Sequence, residues 1–576
     1  MICRIFKRLS FVFLLFSFLF STFSCTQNLP TISSWREDQI ATGDNFVIAT
    51  QGEAASRAGA LMFERGGNTV DAAVAVSFAI SVERQESTGI GGGGFILIYD
   101  ARSLQTFAVD FRERAPLKAD EKLFLDKNGK IIDGKSTEGI FSAAVPGTVA
   151  GLVEVHKRFG KLPLNEVMTP AIELAGKGFK INEHLANAID AKKDLLQQYP
   201  SSAKIFLHND GSPKKAGEIL VQNDLARTLD LISKKGGDGF YKGTIAKAII
   251  AEGKKLGGLI TEKDLNNYKV VWRKPVSGFY LGYKVVSMPP PSSGGVHVIE
   301  ILNILEEKKV RGKPYSTENI HTTAAAMQRA FADRAKYLGD TDFVKVPIET
   351  LIDKNYAKKI ANEITPKARP SSELQEVSLK GHESNQTTHF SIMDKEGNVV
   401  TSTQTINGWL GSGVVVPGTG IILNNEMDDF AASIGASNMF GAIGGSNNLI
   451  APGKRPLSSM SPTIVFDKGN RPFFSLGSPS GTRIITCVTL VIQNKLAYNL
   501  TYKDAVAALR YHHQWMPDTI FVEPPYLNTK VEKSLIDKGY NITEKPLGCD
   551  IQLVAREGTH LIAVADPRGV GKAIGK

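Results

Sequence analysis

The sequence predicts an α+β protein built in more than one layer, and three observations predict it. A chain of 576 residues is too long for one ordinary core. The stretch Gln386 to Asn407, QTTHFSIMDKEGNVVTSTQTIN, alternates apolar residues, turns at Gly397-Asn398 and resumes with β-branched residues, the pattern of a β-hairpin. Between Ala144 and Tyr268 most of the chain has helical spacing, in segments that carry Gly at or near their ends.

Composition narrows the function classes. Hydrophobic residues at 42% and charged residues at 22% are ordinary for a soluble globular protein. The net charge is +10, but the Lys and Arg residues are spread out, with no basic run interleaved with aromatics. We read a solvated basic surface and no nucleic-acid partner. Residues 1–25 read as an export signal: Arg4, Lys7 and Arg8 precede the apolar run Phe11 to Phe23. Cys25 follows Thr-Phe-Ser, which only partly resembles a lipoprotein box, so lipid attachment there and simple cleavage nearby both stay open. The expected address is exported and periplasmic. Of the other cysteines, Cys3 leaves with the signal, and Cys487 lies in the apolar helical run IITCVTLVI as a small hydrophobe. Its pairing with Cys549 is open. No Cys/His cluster has metal-ligand spacing.

Taken in order, Phe46 to Thr50 is a short strand and Ala54 to Gly67 a helix ended by a Gly pair. Asn68 or Thr69 caps VDAAVAVSFAISV, apolar almost all round and therefore buried. Gly89, Gly91 and Gly94 match G-x-G-x-x-G, but a helix precedes and a strand follows, the reverse of a dinucleotide site. We read these glycines as a place where backbones approach closely. Phe95–Tyr99 pairs with Thr106–Phe111, and Arg112 and Arg114 stand at the strand end in DFRERAP. An Arg there is a surface charge or a bidentate clamp for a carboxylate. MPPPSSGGVHVIEILNILEE and STENIHTTAAAMQRAFADRAKYL read as structural helices.

Thr365 to Asn385 is polar and aperiodic, an exposed linker running into the hairpin. The hairpin opens on Thr387-Thr388, and threonine is a good strand former. If the chain were cut between Gln386 and Thr387, the new α-amino group would sit beside the Thr387 hydroxyl as its base, with a pKa of roughly 8. Beyond the second strand, Thr405 and Asn407 precede Glu426, Asp428 and Asp429, which form a solvated turn or face a cation. Ala431 to Pro456 is a long Gly/Ala/Ser/Asn loop with one aromatic, Phe440, either a lid or disordered. Ser458 and Ser459 lead into a strand. The backbone N–H groups of Ser480 and Gly481 lie just before a helix, where an anion can be received. DIQLVARE and THLIAVADP are the two final strands.

NQTTHFSIMD, ILNNEMDDF, KRPLSSMSPTIV, SPSGTRII, DFRERAP, GIGGGGF and MPPPSSGG together, in a likeness that runs from about Phe46 to the end, resemble the bacterial γ-glutamyltranspeptidases. The resemblance implies the four-layer αββα sandwich of the N-terminal nucleophile hydrolases, formed jointly by a large subunit (26–386, with the linker 365–385) and a small catalytic subunit (387–576). It implies self-cleavage between Gln386 and Thr387, no cofactor and no metal. The substrates would be glutathione and other γ-glutamyl compounds, and the glutamyl group would pass to water, amino acids or dipeptides. By position, Thr387 is the nucleophile, Thr405 its hydrogen-bond partner, and Ser480 and Gly481 the oxyanion hole. Arg112, Ser458 and Ser459 take the α-carboxylate; Asn407, Glu426 and Asp429 surround the α-amino end; Phe440 is the lid aromatic. Three positions depart from the expected pattern: Ser480 stands where Gly is expected, Glu426 where Gln is also usual, and Phe440 where Tyr is frequent. A glutaryl or cephalosporin acylase on the same fold, or a non-catalytic exported binding protein, are the alternatives.

Overall fold

The computed structural model describes residues 31–374 and 386–576. The export signal, Cys3, Cys25 and residues 375–385 of the linker lie outside the described residues.

Two seven-stranded sheets form the centre. The first runs, edge to edge, through Ile40–Gly43, His560–Ala565, Gln552–Glu557, Pro472–Gly477, Thr463–Phe466, Tyr283–Ser287 and Val276–Tyr280. The second runs through Lys572–Gly575, Phe46–Thr50, Thr388–Asp394, Val399–Thr405, Gly93–Asp100, Gln105–Asp110 and Val271–Arg273. Their neighbouring strands are antiparallel throughout. The hairpin lies at the middle of the second sheet, its register running from Thr388 opposite Gln404 to Met393 opposite Val399. Among the strands not foreseen is one near the end of the chain. Lys572–Gly575 follows the two expected final strands and pairs with Phe46–Thr50, so the chain's end closes the sheet edge at its start.

The period-two alternation of the strands makes the layers. Phe95, Leu97, Met393 and Val399 pack between the sheets, against Ile464, Leu476 and Val554. Their neighbours Ile96, Ile98, Phe390, Ile392 and Val400 point the other way, onto the helices Glu53–Glu64 and Thr69–Glu83. Each such buried side chain contributes about 2 kcal/mol relative to exposure. The helices Gly294–Glu307 and Arg483–Leu496 cover the outer face of the first sheet. The result is helix, sheet, sheet, helix.

Local chemistry explains the elements that carry the site. The Asn68 side chain accepts from the N–H groups of Val70 and Asp71, and Asp71 returns the bond to the Asn68 N–H, a capping box that starts the buried helix. The glycine run is a steric requirement: a Cβ on Gly92 would lie 2.0 Å from the Thr405 carbonyl oxygen, and one on Gly91 2.1 Å from that of Ile422. The linker is less free than its composition suggests. The Ser371 N–H donates to Asp518, its hydroxyl to the Trp515 carbonyl, and the Trp515 indole donates back to the Ser371 carbonyl, so the described part is docked. The open cysteine question is answered by a Cys487–Cys549 disulfide.

Candidate active site

Thr387 enters the site because the strand behind it is anchored. The Thr388 hydroxyl and the His389 N–H both donate to Gln51 Oε1, at 2.9 and 2.8 Å, and Gln51 Nε2 donates to Asp550 at 2.7 Å. Thr387 itself has φ +105°. For a β-branched residue this is a strained conformation, costing about 1–3 kcal/mol, which the surrounding contacts must hold. Its hydroxyl points to the Thr405 hydroxyl at 3.5 Å, and Thr405 Oγ1 accepts the Asn407 N–H at 2.8 Å.

The peptide before Thr387 lies against the turn that sequence marked for an anion. The Ser480 N–H donates to the Gln386 carbonyl oxygen at 2.8 Å. Thus the Gln386–Thr387 peptide is polarised at oxygen by one group and flanked by a hydroxyl. Ser480 holds φ +106° and Gly481 +55°. The Ser480 side chain has found a use that a Gly lacks: its hydroxyl donates to the Leu547 carbonyl at 2.8 Å. Two residues on, Cys549 is joined to Cys487 in the helix that begins directly after this turn. The extra hydroxyl therefore ties a backbone conformation disfavoured for Ser to a cross-linked loop.

A charged pocket adjoins the hydroxyls. Arg112, Thr387, Thr405, Asn407, Glu426, Asp429, Ser458, Ser459, Phe440 and Gly481 all line one narrow cavity. The guanidinium of Arg112 is fully enclosed and donates to Glu426 and Asp429, with Nε on the Pro456 carbonyl at 3.3 Å. Burial opposes its charge, but Glu426, Asp429 and Glu113 together raise its pKa. Glu113 lies behind it, 3.8 Å from Nη1. Burial raises the Glu113 carboxyl to about 7 despite Arg112, and Glu426 is raised as well. Fully ionised, both oxygens of Glu113 and Oε2 of Glu426 would have no hydrogen-bond partner. Glu426 and Asp429 face the Arg112 cation, whereas Asp428 accepts from the Ser136 hydroxyl and the Met439 N–H, so the solvated-turn alternative falls.

The two serines divide. Ser459 Oγ accepts from Arg334 Nη2 at 3.2 Å, whereas Ser458 Oγ accepts the Met460 N–H at 3.1 Å. Arg334 was missed by sequence reading. It sits on the long helix Thr317–Tyr337, lines the same pocket and donates also to Ser293 Oγ at 3.0 Å. Burial lowers it to about 10, so it remains charged at neutral pH. The loop 431–456 is folded down. Asn438 Nδ2 donates to Asp429 and the Met439 N–H to Asp428, at 2.8 and 2.9 Å. Phe440 covers the anion turn so closely that a Cβ on Gly481 would lie 2.3 Å from its ring.

Comparison with known proteins agrees with this geometry. The family described as Gamma-glutamyltranspeptidase matches residues 55–576. The glutathione hydrolase proenzyme of Escherichia coli K12 is 44% identical over 91% of this chain and 90% of its own length. The γ-glutamyltranspeptidase of Helicobacter pylori aligns at 45% identity with a TM-score of 0.55, over 56% of this chain and 93% of that one. A cephalosporin acylase from Bacillus halodurans aligns at 27% identity with a TM-score of 0.83, over 96% and 98%. A polarised peptide before a strained threonine, a buried arginine paired with two carboxylates and a match over nearly the whole chain converge on one conclusion: this chain belongs to the γ-glutamyltranspeptidase family.

Proposed function

We propose that the chain is an exported precursor that cuts itself between Gln386 and Thr387, and then hydrolyses or transfers the γ-glutamyl group of glutathione and related amides. The observation that carries this reading is the bond from the Ser480 N–H to the Gln386 carbonyl, with the Thr387 hydroxyl beside the Arg112 pocket.

In the first reaction Thr387 Oγ attacks the Gln386 carbonyl carbon and negative charge forms on the oxygen held by Ser480. The C–N bond breaks, the hydroxyl proton passes to the departing nitrogen, and an ester remains. Water cleaves the ester, leaving a carboxylate on Gln386 and a free amine and hydroxyl on Thr387. Cleavage also abolishes the φ angle of Thr387, because no preceding carbonyl remains to define it. The strain at +105° is released in the product.

In the second reaction the new amine takes the hydroxyl proton while Oγ attacks the γ-carbonyl of the donor, whose oxygen replaces that of Gln386. The leaving amine takes the proton. Water or an acceptor amine, supplied by an amino acid or a dipeptide, then frees the glutamyl group. Recognition of the glutamyl head is an exchange. Without substrate, Arg112 is paired with Glu426 and Asp429. A zwitterion brings one carboxylate to the arginine and one ammonium to the acids, so no charge enters the pocket without its opposite. Asn407, Ser459 and Arg334, which line the same pocket, would complete that set.

The resulting pair of fragments, 26–386 and 387–576, would remain together, since the hairpin strands pair on both sides with strands of the larger fragment. The export reading draws support from the buried disulfide, a bond that persists in oxidising compartments. The test is intact mass spectrometry of the purified protein, together with turnover of γ-glutamyl-p-nitroanilide against glutaryl-p-nitroanilide. Two fragments meeting at Thr387 and preference for the substrate bearing an α-amino group are expected. Preference for the glutaryl compound would favour the acylase alternative instead.

A further inference from the structure

MPPPSSGG reads in the sequence as a turn before a structural helix, and in the fold it grips the segment that carries Ser458 and Ser459. The Ser458 N–H donates to the Pro291 carbonyl and the Ser293 N–H to the Ser458 carbonyl, both at 2.8 Å. The Ser292 hydroxyl donates to the Met460 carbonyl at 2.6 Å. A Cβ on Gly294 would lie 2.0 Å from Ser461 Oγ, so the two segments touch closely. Arg334 reaches across this joint from the helix Thr317–Tyr337, with Nε on Ser293 Oγ and Nη2 on Ser459 Oγ. The Ser293 hydroxyl donates in turn to the Ser458 carbonyl at 2.8 Å.

Two features set Arg334 apart from a structural tie. The first is its charge. It is buried in the wall of the pocket, and among the described residues it makes no ion pair, whereas Arg112 in the same pocket is paired with Glu426 and Asp429. A buried cation without a counter-ion is costly until an anion arrives. The second is the direction of a proton. A guanidinium only donates, so Ser459 Oγ accepts from it and keeps its own hydrogen for another partner. Ser459 lines the pocket, and among the described residues its hydroxyl finds no acceptor. A carboxylate only accepts, so it is the group this hydroxyl fits, and the cation behind Oγ strengthens the donor. We propose that Arg334 is a positioning residue that sets donor specificity: acting through Ser459, it turns a hydroxyl into the pocket as an obligatory donor and makes the pocket select donors that carry an α-carboxylate. The proposal rests on the glutamyl reading above. The Pro-Ser-Gly turn has its part in this, because Ser293, with its own proton committed, holds the other edge of the guanidinium and fixes the plane of the fork.

The experiment uses the full-length protein and two donors, γ-glutamyl-p-nitroanilide and γ-aminobutyryl-p-nitroanilide, which lacks only the α-carboxylate. Turnover of the first against glutaryl-p-nitroanilide by the parent protein tests the glutamyl reading alone. The parent should prefer the donor with the carboxylate. In Arg334→Gln that preference, as a ratio of kcat/KM values, should fall about tenfold, with the loss in KM and not in kcat. Arg334→Lys, which keeps the charge without the planar fork, should retain part of the preference. Ser459→Ala, a smaller truncation, should also lower the preference about tenfold, and adding Arg334→Gln to it should cost less than adding it to the parent. Equal losses for the two donors in Arg334→Gln would make the arginine a structural tie and overturn the proposal. So would an unchanged preference in Ser459→Ala, a result that does not depend on how the Arg334 variants fold.

Discussion

The two halves of the charged pocket are made from opposite materials. Around the peptide proposed to be cut, Gln386–Thr387, the groups are neutral: the hydroxyls of Thr387 and Thr405, the Gln386 carbonyl and the Ser480 N–H. Around the head-group end they are ionisable and largely enclosed: Arg112, Glu113, Glu426, Asp429 and Arg334. The neutral half needs only the chain's own backbone in the right place, so it is complete before any substrate arrives. The ionic half is complete only as a closed circuit of charge, which a ligand must open and re-form. On the proposed reading, self-cleavage and substrate recognition are separable properties of adjoining residues.

The sharpest way to break that division is at the nucleophile. Thr387→Ala should leave one uncut chain on a denaturing gel and lower turnover by on the order of 10^6. A split Thr387→Ala protein would remove Thr387 from the cleavage step. Next is Arg112→Gln, which strands Glu426 and Asp429 without their cation. A loss of about 3–5 kcal/mol, or roughly 10^2 to 10^4 in kcat/KM, should appear while self-cleavage continues. If cleavage and turnover fell together, the two halves would not be independent.

Ser480→Ala keeps the N–H but cuts the tie to Leu547. Both reactions should slow by about fivefold, because both use that turn; a change in only one would show the turn is not shared. The smallest effect is expected at Glu113. Its carboxyl, ordinarily near 4.5, is raised to about 7. The fold therefore binds this proton more tightly than the unfolded chain does, and stability falls as pH rises through that window, the loss being complete above it. The same deprotonation puts a negative charge directly against Arg112 and opposes a substrate carboxylate there, so donor KM should rise as pH climbs through 7. In Glu113→Gln both slopes should flatten, read from KM and melting temperature across pH 5 to 8.

Much of the neutral half was legible in the sequence because its signals are local. A hairpin with Thr-Thr at its start, a glycine run too crowded for side chains and a tight turn before a helix all announce themselves within a few residues. The ionic half was legible only in part. Arg112, Glu426 and Asp429 could be named, but whether three acids form a solvated turn or a counter-charge depends on a strand end more than three hundred residues earlier. Arg334 gave no signal at all: on an amphipathic helix a buried Arg looks like any other until the opposing Ser459 is placed against it. The closing strand Lys572–Gly575 and the docked Ser371 failed for the same reason, since their partners are distant in the chain.

The placement of the Gln386 carbonyl on the Ser480 N–H has a kinetic consequence. Blade and target belong to one molecule, so the appearance of working enzyme should be a first-order clock started by folding. Dilution should leave its half-life untouched, and adding finished enzyme should not hasten it. On the proposed cleavage, a compound that competes for that same N–H could occupy it only after Gln386 has gone, which would make the newborn chain blind to inhibitors that silence the adult one.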